Sequence, residues 1–428
     1  NNALERFKYL SMILGTNFGS IISLGIGPIV MASIILQLLT GSGILNIDTA
    51  TDEGKKFFGG LQKILTFFFI IFEAAIYVLM QGLQAVPGFA PLLIFQLVLG
   101  GLAIYYMNEL CEKWGFGSGI SLFIGAGASW RLITSAFQFI NQQGENCLLN
   151  FGEISCPGKV LVVIQSIINK YPIELISALG AIIATIVIFL IIVWAQSLKV
   201  EVPLSFGRLR GYSVKWPLSF FYASVIPVIL TAALIVSIQV FGGIIENAAS
   251  PCFIEGGTCS GLAKFASYFT FLGHYVNGQP VSGLSFWMGS TNLLELIIRG
   301  GFLPKYILQG LTHILIYVVL STVFAVFWVK TSGMDAKTQA HKIAASGLQI
   351  AGFRQDERVL ESILDRYIMP LTLMGGIAIG LLASVTNLMG ALISGTAILL
   401  VIMIFFLSLI HISEPTRPLY ISYAVFCL

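Results

Sequence analysis

Residues 174–198 read ELISALGAIIATIVIFLIIVWAQSL, an apolar run of the kind that decides the fold of this chain. A helix that crosses a membrane needs roughly 20 mostly apolar residues, because each residue rises about 1.5 Å and the hydrocarbon core is about 30 Å thick. Similar runs recur along the sequence and predict about nine membrane spans. These spans lie near residues 20–39, 61–84, 89–110, 118–140, 174–198, 218–241, 306–329, 367–388 and 392–407.

The composition also indicates a membrane protein. Of the 428 residues, 57% are hydrophobic and only 10% are charged, and a water-soluble core of ordinary domain size cannot bury that much apolar surface. The net charge of +3 is too small to indicate nucleic-acid binding. The sequence begins with Asn1 and nothing near it resembles a signal peptide, so we interpret the chain as truncated at its front.

The basic residues predict the orientation of the spans. If the loops alternate between the two faces, most Lys and Arg residues share one face with the loops that follow residues 198 and 329. Cytosolic loops carry an excess of basic residues, so this face is predicted to be cytosolic. The long loops at residues 141–172 and 242–304 then lie outside.

Each long outer loop contains two cysteines, Cys147 with Cys156 in the first and Cys252 with Cys259 in the second. Local disulfides are expected there, because the outer face of a membrane is an oxidising environment. The alternative is four reduced thiols in flexible loops, since the sequence does not give the geometry that a disulfide requires.

Two spans share a proline among branched apolar residues. The first span contains GIGPIV at residues 25–30, and the sixth contains SVIPVI at residues 224–229. These spans cross in opposite directions, as an inverted repeat requires, and a proline in mid-span frees backbone groups that neighbouring helices or water must satisfy. Chance is the alternative, because proline is common in membrane helices.

The sequence does not carry the common motifs of enzymes. No glycine loop ends in Gly-Lys-Ser or Gly-Lys-Thr, and the four histidines form no His-Glu-x-x-His motif. In GFGSG at residues 115–119, Ser118 has no suitably placed His as a base, so helix packing through small residues explains this segment better. His313 could relay protons, but a lone His in a span is more often a packing residue. We therefore expect no enzymatic activity, no catalytic residues, no cofactor and no metal.

Six segments together resemble the SecY family, the central subunit of the general secretory translocon, in its archaeal branch. They are LGIGPIV (24–30), GFGSGISLFI (115–124), VPLSFGRLRG (202–211), SVIPVIL (224–230), GFR (352–354) and GT (395–396). The resemblance implies an all-α polytopic membrane protein, an inverted-repeat bundle that has ten helices in the family. About nine are counted here by hydrophobicity, so the first helix is expected to be missing.

The resemblance also implies how the chain is divided. The plug region is expected at residues 1–19, with its helix at 4–18, and residues 408–428 resemble translated sequencing adapter and are interpreted as non-native. Between them lie the N-terminal half with family helices 2–5 (20–140), the external loop (141–172) and the C-terminal half with family helices 6–10 (173–407).

In this family an hourglass pore carries secretory proteins across the membrane. By resemblance, its constriction ring is formed by Ile26, Val30, Ile120, Ile124, Ile229 and Leu400. Branched apolar side chains at the narrowest point disfavour a continuous water column and resist ion leak, while they yield around a passing polypeptide. The alternative is that these are ordinary packing or lipid-facing residues.

The family also releases membrane proteins sideways into lipid through a lateral gate. Glu73 matches a polar gate position, while Ser237 and Met31 occupy gate positions at which the family often has Asn and a hydroxylated residue, respectively. A carboxylate inside a span is costly unless it pairs, accepts hydrogen bonds or takes up a proton. Because Ser237 and Met31 depart from the family pattern, the polar contacts that hold this gate shut are expected to be weaker here.

The resemblance implies several partners of the channel. Arg208, Arg210, Lys215 and Arg354 are expected to dock the ribosome through ribosomal RNA phosphates, although positive-inside topology alone is the alternative reading. Other expected partners are SecE-like and beta-type small subunits, signal peptides, nascent chains and the lipids of an archaeal cell membrane.

A secondary transporter is the competing class, because inverted repeats and broken helices occur there too. A transporter requires polar groups around a site at the middle of the membrane. The predicted spans contain Glu73 and few other ionisable residues, which favours a gated channel over a solute site.

Overall fold

The fold is an all-α bundle with two small sheets at its ends. The computed structural model describes residues 20–41, 43–45, 47, 51–79, 83, 85–114, 119–140, 146–147, 156–206, 213–223, 226–249, 267–276, 279–301, 303–345, 348–350 and 357–413. The predicted plug region up to residue 19 lies outside these described residues.

Each predicted span overlaps one helix of the structure. Among the described residues, seven helices are long and apolar enough to cross a membrane, so the chain is a multi-pass membrane protein. The helices are α1 (Gly27–Gly41), α2 (Asp52–Leu79), α3 (Ala90–Trp114), α4 (Gly119–Phe137), α5 (Lys159–Asn169), α6 (Pro172–Gln196), α7 (Ile226–Ala249), α8 (Leu284–Met288), α9 (Leu293–Ile298), α10 (Pro304–Thr331), α11 (Ala336–Ala345), α12 (Glu357–Leu388) and α13 (Gly395–Ser413).

Within the described part of the chain, five strands form two antiparallel sheets. β1 (Lys199–Phe206) pairs on one side with β2 (Ser213–Ser219) and on the other with β5 (Leu348–Ile350). The loop after α6 and the loop after α11 therefore share one sheet at one face of the membrane. The second sheet is a hairpin of β3 (His274–Val276) and β4 (Gln279–Ser282), in the loop between α7 and α8.

Two predicted spans begin several residues before their helices, whereas the helices of the spans predicted from residues 61 and 367 begin earlier than predicted, at Asp52 and Glu357. The helix of the span predicted from residue 218 begins at Ile226, because residues 218 and 219 end strand β2 and residues 220–223 form bends and turns. The span predicted from residue 20 begins at Gly27, because residues 21–26 form turns instead. Gly25 in these turns has a φ of 56°, which glycine adopts without steric cost.

The two shared prolines begin helices and do not interrupt them. Pro28 is the second residue of α1, and Pro227 is the second residue of α7. The interpretation of mid-span prolines is therefore wrong. The first N–H groups of a helix have no partner within the helix, so a proline in this turn removes no hydrogen bond and its fixed φ favours the helix.

The loop predicted at residues 141–172 contains a helix of its own, α5. Before it, Cys147 and Cys156 are joined by a disulfide. The predicted pair Cys252 and Cys259 lies outside the described residues. Since α6 crosses the membrane between α5 and β1, α5 lies at the face opposite the three-stranded sheet.

Candidate functional site

The six predicted ring residues come from four parts of the chain. Ile26 precedes α1 directly, and Val30 lies in its first turn; α4 carries Ile120 and Ile124. Ile229 lies in the first turn of α7, and Leu400 lies on α13. Five of them are buried and Ile120 is half-buried.

One apolar cluster contains the ring residues. Ile26, Val30, Ile124, Ile229 and Leu400 are buried members of this large cluster, and the partly buried Ile120 packs against the cluster. The helices that carry them are also in contact, because α1 packs on α7 and α13 packs on both α4 and α7. Gly125 of α4 faces Ile404 of α13, since a Cβ at this position would lie 3.6 Å from Ile404, an ordinary van der Waals distance.

Asn108 fixes the start of α4 and thereby the position of Ile120. The backbone N–H of Ile120 donates to Oδ1 of Asn108 at 2.9 Å, and Asn108 is buried on α3. The amide nitrogen of Asn108 donates to Glu112 at 3.0 Å. Asn108 could not be predicted from the sequence, because a single Asn within a span does not indicate which helix start it caps.

The Gly-Thr pair at residues 395–396 holds the start of α13 against the end of α12. Both the backbone N–H and the hydroxyl of Thr396 donate to Oδ1 of Asn387, at 2.9 and 2.8 Å. A Cβ on Gly395 would lie 2.2 Å from Cβ of Thr386, so the two segments touch only because this residue is glycine. Leu400 follows about one turn later and is oriented by this contact.

The predicted gate residues lie on three neighbouring helices. Glu73 on α2 is 3% exposed and Ser237 on α7 is 8% exposed, so both polar side chains are buried in the bundle. Met31 is half-buried and packs against the central cluster. Its helix, α1, contacts α2, α7 and α10.

Polar side chains of α10 hold the short helix α8 by its carbonyl groups. Gln309 donates to the carbonyl of Phe286 at 2.8 Å, and Thr312 donates to that of Trp287 at 3.2 Å. Nδ1 of the buried His313 lies 2.7 Å from the carbonyl of Met288. This contact supports a packing role for His313.

The β3–β4 hairpin is attached to α7 in a similar way. The hydroxyl of Tyr275 donates to the carbonyl of Gln239 at 2.7 Å and lies 2.7 Å from Oγ of Ser285. The carboxylate of Glu246 accepts the backbone N–H of Tyr275 at 2.9 Å and pairs with the His274 ring. Burial raises the pKa of Tyr275 to about 12, so its hydroxyl remains a donor at neutral pH.

The predicted ribosome-docking residues are described only in part. Lys215 lies in β2, opposite Pro203 of β1. Arg208, Arg210 and Arg354 lie outside the described residues. The strands on which these basic loops are built, β1, β2 and β5, belong to one sheet.

Comparisons of the sequence with known proteins all find similarity to SecY proteins. A sequence profile described as SecY matches residues 20–408. The protein translocase subunit SecY of Methanothermobacter thermautotrophicus is 38% identical over 94% of this chain and 82% of its own length. The subunit of the same name from Methanocaldococcus jannaschii is 34% identical over 93% of this chain and 81% of its own length.

Solved structures show the same architecture. One described as the structure of a protein conducting channel has a TM-score of 0.75 and 34% identity, and the match covers 94% of this chain and 83% of the other. The channel of a canine ribosome complex from the endoplasmic reticulum, Sec61, has a TM-score of 0.71 and 32% identity, with coverage of 94% and 83%.

Proposed function

The chain belongs to the SecY family, and on that premise we propose that its aliphatic ring is the constriction of a protein-conducting channel. The protein is a multi-pass channel subunit that translocates secretory proteins across the membrane and inserts membrane proteins into it. The observation that carries the proposed constriction is that six residues from four chain segments belong to or pack against one large apolar cluster, and that α1 contacts α7 while α13 contacts α4 and α7.

The constriction works by excluding water when no substrate is present. Side chains such as Ile124 and Leu400 offer no hydrogen-bonding groups, so a water column between them is unstable and ions do not pass. A polypeptide that enters the ring displaces these side chains and is surrounded by apolar surface. The seal depends on packing between helices and has no covalent component, so it can re-form after each substrate.

The proposed lateral gate lies between the pair α1 and α2 and the pair α7 and α10, and α1 contacts both α7 and α10. A segment held there is exposed to both water and lipid, and each Leu or Ile favours lipid by about 0.3 to 0.6 kcal/mol. The buried carboxyl group of Glu73 is costly to keep in a closed, largely apolar seam, so separation of these helices costs less than separation of a wholly apolar contact.

The ribosome is the proposed partner at the face that carries the three-stranded sheet. The basic loops built on β1, β2 and β5 offer Arg208, Arg210, Lys215 and Arg354 to RNA phosphates. The similarity to the channel of a ribosome complex supports this proposal. SecE-like and beta-type small subunits complete the proposed complex.

Photo-crosslinking to an arrested substrate tests the proposed constriction. A photoreactive amino acid replaces Ile229 or, as a control, the lipid-exposed Leu190 of α6. We expect the substrate to crosslink at position 229 and not at position 190. Crosslinks of equal yield at both positions would argue against a pore through the ring.

A further inference from the structure

Helix α5 has the opposite polarity to a helix on the surface of a soluble protein. Its polar side chains Gln165 and Ser166 are buried, whereas Ile164, Ile167 and Ile168 are 46%, 61% and 61% exposed. With 11 residues α5 is about 16 Å long, too short to cross a hydrocarbon core of about 30 Å. It therefore carries an apolar stripe without being a membrane span.

The buried polar face of α5 is held by contacts with the segment that connects α4 to α5. Oε1 of Gln165 accepts the backbone N–H of Cys156 at 3.1 Å, and Cys156 is joined to Cys147 by the disulfide. The N–H of Gly158 donates to the carbonyl of Gln138 at 3.0 Å. These contacts fix the rotation of α5, so the isoleucine stripe has to face outward.

The stripe continues into the surface of α6. Tyr171, between the two helices, and Ile173, in the first turn of α6, are exposed, and Ile176, Ile183 and Leu190 follow along α6. Because α6 crosses the membrane, its exposed apolar side chains contact lipid. The same contact surface therefore extends onto α5.

The charge at the tip of the α5–α6 turn fits a lipid headgroup. Lys170 is exposed and has a φ of 56°, a left-handed conformation that glycine adopts more readily than lysine. A lysine beside an apolar stripe can extend its ammonium group to lipid phosphates. The nearest charges along the chain are Lys159 at the start of α5 and Glu174 in the first turn of α6.

From these observations we propose that α5 is a membrane-surface helix that binds phospholipid at the face opposite the three-stranded sheet. Its isoleucine stripe lies in the upper acyl region of the leaflet, and Lys170 contacts phosphate groups. This inference rests on the membrane-spanning assignment of α6 and is independent of whether the ring forms the channel constriction.

Depth-dependent quenching tests where the stripe lies. Because the chain already contains six cysteines, the probe is a genetically encoded fluorescent amino acid at Ile168. The full complex is reconstituted into vesicles of phosphatidylcholine and phosphatidylglycerol. Leu190 serves as the lipid control, and the exposed Lys337 of α11 serves as the water control.

We expect nitroxides high on the acyl chains to quench the probe at position 168 several-fold more than nitroxides at the chain ends do. Iodide should quench it several-fold less than the probe at position 337. Iodide quenching equal to that at position 337 would overturn the proposal by placing α5 in water. Protection from both quenchers would also overturn it, by showing that a protein subunit covers the stripe.

A glycine variant separates the charge of Lys170 from its conformation. Lys170→Gly suits the positive φ, so the melting temperature is expected not to fall. In the wild-type complex, raising the phosphatidylglycerol content should increase nitroxide quenching at position 168, and in Lys170→Gly this increase should be lost. An equal increase in both proteins would exclude a contact between Lys170 and phosphate.

Discussion

The backbone N–H of Ile120 donates a 2.9 Å hydrogen bond to the side-chain oxygen of Asn108, on a different helix. This bond caps the start of α4, and the adjoining Gly119 lies so close to Asn108 that a Cβ would come within 2.7 Å of its Cα. The position of one ring residue is therefore determined by a polar side chain outside the ring.

Replacement of Asn108 should affect both stability and the seal. We expect Asn108→Leu to lower the free energy of unfolding by about 1–3 kcal/mol, because it leaves a buried N–H without a partner. The same variant should increase ion leak through the idle channel. Asn108→Asp keeps the acceptor oxygen and is the matched control. Equal behaviour of the two variants, measured by thermal unfolding and vesicle leak, would contradict the capping role.

Gly395→Ala should displace α13. The added methyl group would lie 2.2 Å from Cβ of Thr386, and overpacking of this kind costs about 1–3 kcal/mol. Gly127→Ala in α4 is the control, because a Cβ at that position has no heavy atom within 4 Å, and alanine favours a helix. Thermal unfolding should show a lower melting temperature only for the first variant; equal melting temperatures would be inconsistent with a close contact.

Glu73→Leu should make the channel more selective for hydrophobic signal sequences. Removal of a buried ionisable group strengthens the apolar contact between the gate helices, so a substrate has to supply more hydrophobicity to separate them. We expect the threshold to rise by about one leucine, roughly 0.5 kcal/mol on the insertion scale. Insertion of a series of signal sequences of graded hydrophobicity measures this threshold, and Glu73→Gln should give an intermediate value. An unchanged threshold would show that Glu73 does not contribute to the gate.

Tyr222 should make stability depend on pH in alkaline solution. Its hydroxyl donates to the carbonyl of Met334 at 2.7 Å, and burial, followed by the charge of Asp335, raises its pKa. The unfolded chain ionises this group first, so the folded state loses stability as pH rises above the ordinary value of about 10.

Chemical unfolding at pH 8 and pH 11 measures this dependence. Tyr222→Phe should cost about 1 kcal/mol at pH 8, through the lost hydrogen bond, and should lose less stability than the wild type on going to pH 11. The exposed Tyr268→Phe is the control and should match the wild type at both pH values. An identical pH dependence in Tyr222→Phe would show that ionisation of Tyr222 does not destabilise the fold.

Much of the helical bundle could be predicted from hydrophobicity, because the thickness of the membrane sets a minimum length for each apolar run. The limits of that signal are seen at α7, where the largely apolar residues 218–225, which begin with the end of β2, extended the predicted span backwards from Ile226. Hydrophobicity alone does not distinguish a short apolar strand from the first turn of a helix. Strand pairing with β1 decides the structure of residues 213–219, and no local pattern indicates this partner.

The ring residues could be identified only through resemblance to a family, since an isoleucine in a pore and one in a core have the same chemistry. The polar residues that position the ring and the neighbouring loops were missed. Asn108, Asn387 and Gln309 have backbone groups as partners, and a sequence does not indicate which backbone group a side chain will meet. Helix α5 was missed because its length is below that of a span.

Conductance of the idle channel tests the proposed ring most directly. The double variant Ile124→Ser with Ile229→Ser places two hydroxyl groups in the ring, and the control is Leu190→Ser on the lipid-exposed face of α6. In planar bilayers without substrate, we expect the double variant to conduct ions at least tenfold more than the wild type, because hydroxyl groups stabilise a water column, and the control to remain closed. Wild-type conductance in a correctly folded double variant would contradict the assignment of the constriction.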